Sequence, residues 1–487
     1  MPGRQRHPLV SFLPLVTVQL VGYLILRAWL PLEPHLQDVP LADINRLAPT
    51  LGEGLLYALL LCLLYAAYLL AYRLVMNEHL PAGLARPAVI LGIAALYAVV
   101  LLGTFPFNAT DLYRYVIRGR VQGVYFDNPY TTPPDAFASD PYLPLAGEWA
   151  GETSPYGPFW ETLAGAAAEQ LPAASEVNLW HLLLFFKGVA ILAHLATGWL
   201  IWTMQRELPA PHRLGRTLLW AWNPALLLIF AVDGHNDALM LFWLAVGLWL
   251  LLTKRHQLSL LAVTAAVLTK PIALLALPFF ALAAWRERKT WRDRTRLVAL
   301  AIPANLLLAW LAFIPYGNPF PLARRLMLEA SSVAGFSPAT LVILIGQRAN
   351  VHNIYAIISQ ASILVFVGIA LLIFGLVWAR KRPLLRSIGQ VFAAYVYSAL
   401  SFRLWYASWV GLWLVTDNSS GSRYWRHAAL WFLLTSQLSV VIYGHALRNL
   451  LNGDHLFSHL IGVPVTFGLP LVLARFSCNK RSREIFH

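Results

Sequence analysis

The sequence predicts an all-α, polytopic membrane protein of about fourteen crossings, some short or broken, with a structured extracytoplasmic loop. The first observation is composition: 58% of the 487 residues are apolar and 12% are charged, whereas soluble proteins are about half apolar and about a quarter charged. The second is length, because windows such as residues 10–30 and 51–72 stay apolar long enough to cross a hydrocarbon core roughly 30 Å thick. Residues 1–487 are therefore expected to form a single integral-membrane domain.

The third observation is the placement of the basic residues, which give the chain a formal net charge of +14. They fall in short runs between the apolar windows, a pattern that orients a membrane protein in the bilayer with its basic loops inside. This distribution does not favour a nucleic-acid partner. Arg4 and Arg6 precede the first window and residues 475–483 form a basic tail, so both termini are predicted to be cytoplasmic.

Two apolar segments, residues 258–285 and 389–415, lie between basic clusters that should share one side of the membrane. Each has a charge near its middle: Lys270, which precedes Pro271, and Arg403. Proline interrupts a helix, so we predict that the first segment is two short crossings meeting at Lys270 on the outer side. The charge of Arg403 between two basic clusters leads to the same prediction for the second segment. Backbone and charge at membrane depth must be enclosed, so a polar chamber is expected there. Snorkelling of Lys270 and an ion pair of Arg403 with another helix remain alternatives.

The longest polar interval, residues 105–178, is predicted to be an extracytoplasmic catalytic loop. Connections of this length are usually functional. Within it, residues 159–171 are too few and too mixed to cross, which indicates a re-entrant or interfacial helix. A second extracytoplasmic loop is predicted at residues 315–353.

The catalytic loop begins with a pattern of charge. On a helix Asp111, Arg114, Tyr115 and Arg118 stand at i, i+3, i+4 and i+7, so one face carries a carboxylate, two guanidinium groups and a phenol. Such a face suits a charged ligand, although a solvated surface helix often shows the same spacing. Because most of the chain is apolar, the ligand-binding interpretation is favoured over a solvated surface helix.

Several cations accompany this face on the predicted outer side, and guanidinium and ammonium groups are the usual ligands of phosphate. The predicted donor-phosphate ligands are Arg114, Arg118, Lys270, Arg324, Arg325 and Arg403. A carboxylate among such cations stays ionised and suits general-base catalysis on a hydroxyl. Asp111 is the predicted catalytic residue.

The run His235-Asn236-Asp237 follows Asp233-Gly234 in a predicted outer turn. It has three interpretations: turn residues that cap the next helix, an imidazole and an amide presented to sugar hydroxyls, or a metal site with Asp233, for which alternation in a turn is weak support. No metal or other cofactor is predicted. Aromatic faces commonly stack on sugars. The predicted sugar and acceptor ligands are Tyr115, Tyr156, His235, Asn236 and Asp237.

The order of short motifs resembles a known family. The motifs are Asp111-Leu112-Tyr113-Arg114-Tyr115, Arg118-Gly119-Arg120, Asn128-Pro129-Tyr130, Ser154-Pro155-Tyr156-Gly157-Pro158, Asn223-Pro224, Gly234-His235-Asn236-Asp237-Ala238-Leu239-Met240 and Lys270-Pro271. Together they resemble the GT-C superfamily of integral-membrane glycosyltransferases, and within it the bacterial polyprenol-phosphate-mannose-dependent alpha-1,6-mannosyltransferases. The likeness covers residues 86–290 and is loose beyond them.

The resemblance implies that the first large outer loop supplies the catalytic acid, which falls on Asp111. It also implies a lipid-phosphate-sugar donor that enters from the bilayer, and inversion at the anomeric carbon. Asp111 stands alone after Ala109-Thr110, so the chain departs from an Asp-X-Asp pattern.

The predicted function is therefore transfer of a glycosyl group, most simply mannosyl, from a polyprenyl-phosphate sugar to a hydroxyl of a lipid-linked or cell-envelope glycan at the outer face of the membrane. A transporter or flippase for a lipid-linked or anionic solute is the alternative, since broken helices occur there too. The predicted confinement of the internal charges to the outer side of the membrane favours the glycosyltransferase over the transporter.

Overall fold

The computed structural model describes residues 8–38, 44, 47–77, 86–332 and 335–478, and side chains from residue 12 onward except those of 329–332. In these ranges the regular structure is helical, and a lone β-bridge joins Pro31 to Thr104. The predicted all-α class is confirmed. Arg4, Arg6 and residues 479–483 of the basic tail lie outside the described ranges.

The α-helices are numbered in chain order. The first half contains α1 (Pro8–Trp29), α2 (Leu51–Met76), α3 (Pro87–Leu102), α4 (Asp111–Gly123), α5 (Pro158–Gln170), α6 (Glu176–Met204), α7 (Ala210–Ala221), α8 (Pro224–Leu227), α9 (Asp237–Leu252), α10 (His256–Thr269) and α11 (Leu277–Arg286). The second half contains α12 (Trp291–Phe313), α13 (Phe320–Ser332), α14 (Pro338–Arg348), α15 (Ile354–Trp378), α16 (Leu384–Ser398), α17 (Ala407–Thr416), α18 (Ser422–Val440), α19 (Leu447–Asn449), α20 (His455–Val463) and α21 (Leu469–Cys478).

Seven helical segments within the described ranges are long and apolar enough to cross a membrane, and α7 with the helical segment up to Val232 adds an eighth if that bent pair is one span. Five shorter apolar helices accompany them: Pro87–Leu102, Asp237–Leu252, His256–Thr269, Pro271–Arg286 and Leu404–Thr416. The protein is thus a multi-pass membrane protein. The number of crossings and their orientation stay predictions.

Both predicted helix breaks are present. Lys270 is extended (φ −148°, ψ 116°) between α10 and the 3-10 turn at Pro271–Leu275, as expected for a residue before proline. Arg403 is extended (φ −114°, ψ 136°) between α16 and α17. Nearby, the Phe402 amide donates to the Phe336 carbonyl at 2.8 Å. Protein groups therefore satisfy backbone atoms beside these interruptions, as membrane depth requires.

Residues 217–232, which the apolar pattern predicts as one uninterrupted span, differ from that expectation. The helix bends by 43° at a break between Ala221 and Pro224. The Asn223 side chain accepts the amide hydrogens of Ala225 and Leu226 at 3.0 and 3.3 Å. An asparagine cap followed by proline is a helix-start signal, and here it begins a new helix within the apolar run.

The first polar interval folds into a compact pair of helices, α4 and α5. The second helix confirms the helix predicted at residues 159–171, while its depth in the membrane stays a prediction. The two backbones touch at glycines: a Cβ atom on Gly119 would lie 2.4 Å from the Ala164 carbonyl oxygen, and one on Gly123 2.1 Å from that of Gly165. Only glycine permits this approach, which fixes α4 on α5.

Candidate active site

Asp111 opens α4 and is 4% exposed. The Tyr156 hydroxyl donates a hydrogen bond to its Oδ1. Its Oδ2 is buried without a hydrogen-bond partner and lies 4.0 Å from the Arg114 guanidinium. The carboxylate thus points into the protein with one oxygen held and the other available. The interpretation of α4 as a solvated surface helix is wrong, because ten of its other residues are buried as well.

The surroundings of Asp111 keep it ionised. Burial by itself raises the pKa of a carboxyl group. Here the charges of Arg114, His235 and Lys270, with the hydrogen bond from Tyr156, outweigh burial and hold the pKa of Asp111 well below its ordinary value. The group is therefore ionised at neutral pH and can accept hydrogen bonds.

The motif Ser154-Pro155-Tyr156-Gly157-Pro158 brings Tyr156 to Asp111. The Gly157 amide donates to the Thr269 carbonyl at 3.1 Å, at the end of α10. A Cβ atom on Gly157 would lie 2.1 Å from the Leu268 carbonyl oxygen, so glycine is required for this contact. The catalytic loop is thereby joined to the helix break at Lys270.

Asp237 forms the second charged centre of the site. Its Oδ2 lies 2.7 Å from Lys270 Nζ, and its Oδ1 accepts a hydrogen bond from the Trp409 indole nitrogen. The carboxylate is fully buried, while the Lys270 side chain is 13% exposed. Lys270 therefore faces the site with its charge already paired, which excludes simple snorkelling to the membrane surface.

His235 and Asn236 have unpaired polar atoms in the same region. Gly234 adopts φ 65°, which turns the chain between the π-helical turn Leu228–Val232 and α9. Both ring nitrogens of His235 and the Nδ2 atom of Asn236 are buried without a hydrogen-bond partner, and His235 Nδ1 lies 3.7 Å from Asp237 Oδ2. Asn236 occupies the N-cap position of α9, as the capping interpretation predicts, although its side chain makes no capping hydrogen bond.

Tyr115 and Trp405 hold this turn from two sides. The Asn236 amide donates to the Tyr115 hydroxyl at 3.2 Å. The Trp405 ring stacks on His235 with 4.1 Å between ring centroids. An unsatisfied buried polar group costs about 1–3 kcal/mol. The imidazole is thus fixed in place with hydrogen-bonding capacity that a ligand could use.

The predicted phosphate ligands on α4 lie beside Asp111. The Arg114 guanidinium covers the Trp149 ring at 3.9 Å, and its Nε has no partner. Arg118 is 2% exposed and donates from Nη2 to the Glu152 carbonyl at 3.3 Å, while its Nη1 is unpaired. These two groups offer the buried, unsatisfied donors that an anion requires.

The remaining predicted cations are less closely engaged. Arg325 lies 2.5 Å from the Glu152 carboxylate, which connects α13 to the catalytic loop. Arg324 is exposed. Arg403 is partly buried two residues before Trp405, and its guanidinium makes no hydrogen bond or ion pair with a residue whose side chain is described. The structure therefore brings Arg114, Arg118 and Lys270 around Asp111 and leaves Arg324 at the surface.

A metal centre at Asp233, His235 and Asp237 has no support in the described part of the chain, where no group of three or more histidine, cysteine or acidic residues could hold a metal ion. Asp233 instead accepts the Asn108 amide hydrogen at 3.3 Å, just before α4.

Sequence reasoning overlooked Trp405, Trp409 and Glu161. The two tryptophans directly follow the break at Arg403, and that position is a signal that could have identified them. Glu161 carries no sequence signal of its own, because its contact with the Ser154 turn depends on the fold.

Fold and site define an all-helical, multi-pass membrane protein with a buried carboxylate among cations. The chain belongs to the family described as "Alpha-(1->6)-mannopyranosyltransferase, N-terminal domain", whose family model matches residues 11–286.

Two curated relatives are similar to parts of the chain. Alpha-(1->6)-mannopyranosyltransferase A of Corynebacterium glutamicum is 28% identical over 188 residues, 38% of this chain and 37% of the relative. Its namesake from Mycobacterium tuberculosis is 25% identical over 264 residues, 53% of this chain and 49% of the relative. The chain thus spans less than half the length of either relative. Among solved structures, none gives a significant match.

Proposed function

We propose that the protein transfers a mannosyl group from a polyprenyl-phosphate donor to a hydroxyl of a lipid-linked or cell-envelope glycan. The observation that carries this proposal is the Asp111 carboxylate, held by Tyr156 at one oxygen and unpaired at the other. The family and the names of the relatives support mannose as the transferred sugar.

Asp111 is the proposed general base. Its Oδ2 accepts the proton of the acceptor hydroxyl while the hydroxyl oxygen forms a bond to C1 of the donor sugar. The bond from C1 to the phosphate oxygen breaks, and the phosphate leaves with the electron pair. Attack from the face opposite the phosphate inverts the anomeric carbon, as in GT-C enzymes.

The leaving phosphate gains negative charge, and Arg114 and Arg118 have free donors to receive it. A well-placed donor stabilises such a charge by roughly 3 kcal/mol. Lys270 is already paired with Asp237 and contributes through its remaining hydrogens. We place Arg403, Arg324 and Arg325 further out, where they attract the anionic head group to the site.

The sugar hydroxyls are proposed to meet His235 and Asn236, whose unpaired nitrogens would be satisfied by them. Asp237 lies beside His235, with 3.7 Å between Oδ2 and Nδ1, and is linked to Asn236 through Lys270, whose Nζ lies 3.4 Å from Asn236 Oδ1. Tyr115 and Tyr156 border the same space, with 5.1 Å between their ring centroids. The positive-inside pattern supports an active site at the extracytoplasmic face.

The test uses purified protein in nanodiscs, radiolabelled polyprenyl-phosphate-mannose and a membrane glycolipid acceptor. Asp111→Asn is expected to abolish transfer while thermal stability stays near wild type. Asp135→Asn is the matched control, because it removes an exposed carboxylate of the same loop. Full transfer by Asp111→Asn would remove that residue from the role. Sugar transfer needs no gradient, so a transporter would yield no product, and glucose and arabinose donors would test the sugar.

A further inference from the structure

A chain of hydrogen bonds leads from Glu161 on α5 to the catalytic carboxylate. The Ser154 hydroxyl donates to Glu161 Oε1. The same Ser154 oxygen accepts the Tyr156 amide hydrogen at 3.2 Å. The Tyr156 phenol donates to Asp111 Oδ1. Glu161 therefore acts on Asp111 through two intervening residues.

Glu161 is not engaged elsewhere in a way that would explain its burial. It is 1% exposed, and its Oε2 has no hydrogen-bond partner. Arg118 of α4 acts on it through its charge, but Glu161 forms no ion pair with any residue that the structure describes. Burying a carboxyl group is costly, so the contact with Ser154 is its evident structural contribution.

Other groups around Glu161 also serve the turn. The Tyr130 hydroxyl donates to the Tyr156 carbonyl at 3.0 Å, and Tyr316, which follows α12, bonds to Thr162 next to Glu161. On the α10 side, the Thr269 carbonyl accepts the Gly157 amide hydrogen. Among these contacts, the Ser154 hydroxyl is the side-chain group that accepts the Tyr156 amide hydrogen.

We infer that Glu161 is a positioning residue for glycosyl transfer: by holding the Ser154 hydroxyl, it fixes the turn that sets the Tyr156 phenol against Asp111. The inference rests on the proposed function for its kinetic consequence, and on geometry alone for its structural one. Glutamine at position 161 also offers an acceptor to Ser154, whereas leucine offers none.

The experiment has a structural arm that needs no activity. Hydrogen exchange by mass spectrometry, with fragmentation to resolve the Tyr156 amide, is measured on the full-length protein. Protection of this amide is expected in wild type and Glu161→Gln, and a loss of at least ten-fold in Glu161→Leu and Ser154→Ala. The kinetic arm expects kcat to fall about ten-fold or more in the last two variants, with donor KM nearly unchanged, because small displacements of catalytic groups cost large factors.

A double-mutant cycle separates positioning from general destabilisation. In a Tyr156→Phe background, Glu161→Leu is expected to cost less than three-fold in kcat, because the phenol it positions is already absent. Full additivity, or wild-type exchange and kcat in a folded Ser154→Ala protein, would overturn the inference even if Glu161→Leu does not fold. Expected exchange protection without any sugar transfer by wild type would instead contradict the proposed function and leave the positioning role intact.

Discussion

Lys270 and Asp237 form an ion pair at a helix break, with 2.7 Å between Nζ and Oδ2. Lys270 stands at the extended residue after α10, and Asp237 begins α9. The Trp409 indole adds a hydrogen bond from α17. One carboxylate thus links three elements, α9, the break after α10 and α17.

Removing the lysine is expected to be costly. Lys270→Met leaves Asp237 buried without its countercharge, and breaking a buried pair costs about 3–5 kcal/mol. The measurement is the free energy of unfolding in detergent. Lys254→Met is the control, because the Lys254 side chain is 67% exposed in its pair with Glu287 and exposed pairs contribute about 0–1 kcal/mol. Equal losses in the two variants would contradict the expectation.

The hydrogen bond from the Trp409 indole to Asp237 is tested by substitutions on α17. Trp409→Phe removes the donor to Asp237 Oδ1, and a hydrogen bond to a charged group contributes about 1.5–3 kcal/mol. Trp413 lies one turn further on, and its indole nitrogen is buried without a partner. Trp413→Phe is therefore expected to lose less stability, as measured by thermal unfolding. A larger loss in Trp413→Phe would show that ring packing dominates.

Glycine at position 157 is expected to be indispensable. Gly157→Ala places a methyl group against the Leu268 carbonyl and must move the Tyr156 turn away from α10. Such overpacking costs about 1–3 kcal/mol, and transfer should fall at least ten-fold. Gly188→Ala on α6, where a Cβ atom meets nothing within 4 Å, should leave transfer unchanged. Wild-type activity of Gly157→Ala would show that the turn adapts.

Stability is expected to depend on pH through Glu161. Burial raises the pKa of this carboxyl group from 4.5 to about 7. Between those values the folded protein retains a proton that the unfolded chain has lost, so the free energy of unfolding falls as pH rises through this window. Thermal unfolding from pH 5 to pH 8 measures the slope. Glu161→Gln should flatten it, and an unchanged slope would assign the dependence to other groups.

The sequence predicts the fold well where local chemistry decides. Lys270-Pro271 marks a break because proline cannot continue α10, and the charge pattern independently predicts an interruption there. Asn223-Pro224 carries a comparable local signal, yet the apolar run around it masks the break. Apolarity shows that a segment lies in the membrane but not whether its helix is continuous.

The site is predictable only in part, for a physical reason. Asp111, Arg114 and Arg118 share a helix, so helical spacing alone brings them together. Trp405 reaches the site through packing between elements distant in sequence, which no local pattern encodes. The same holds for Arg325, whose partner Glu152 is supplied by another loop.

The backbone contact between α4 and α5 limits which sequence changes the protein can accept. Gly119 and Gly123 let the two main chains touch. Asp111 therefore lies at one end of a helix whose other end has no room for an added atom. One added methyl group at either glycine would tilt α4 and displace Asp111 at its other end, without altering any residue of the candidate site.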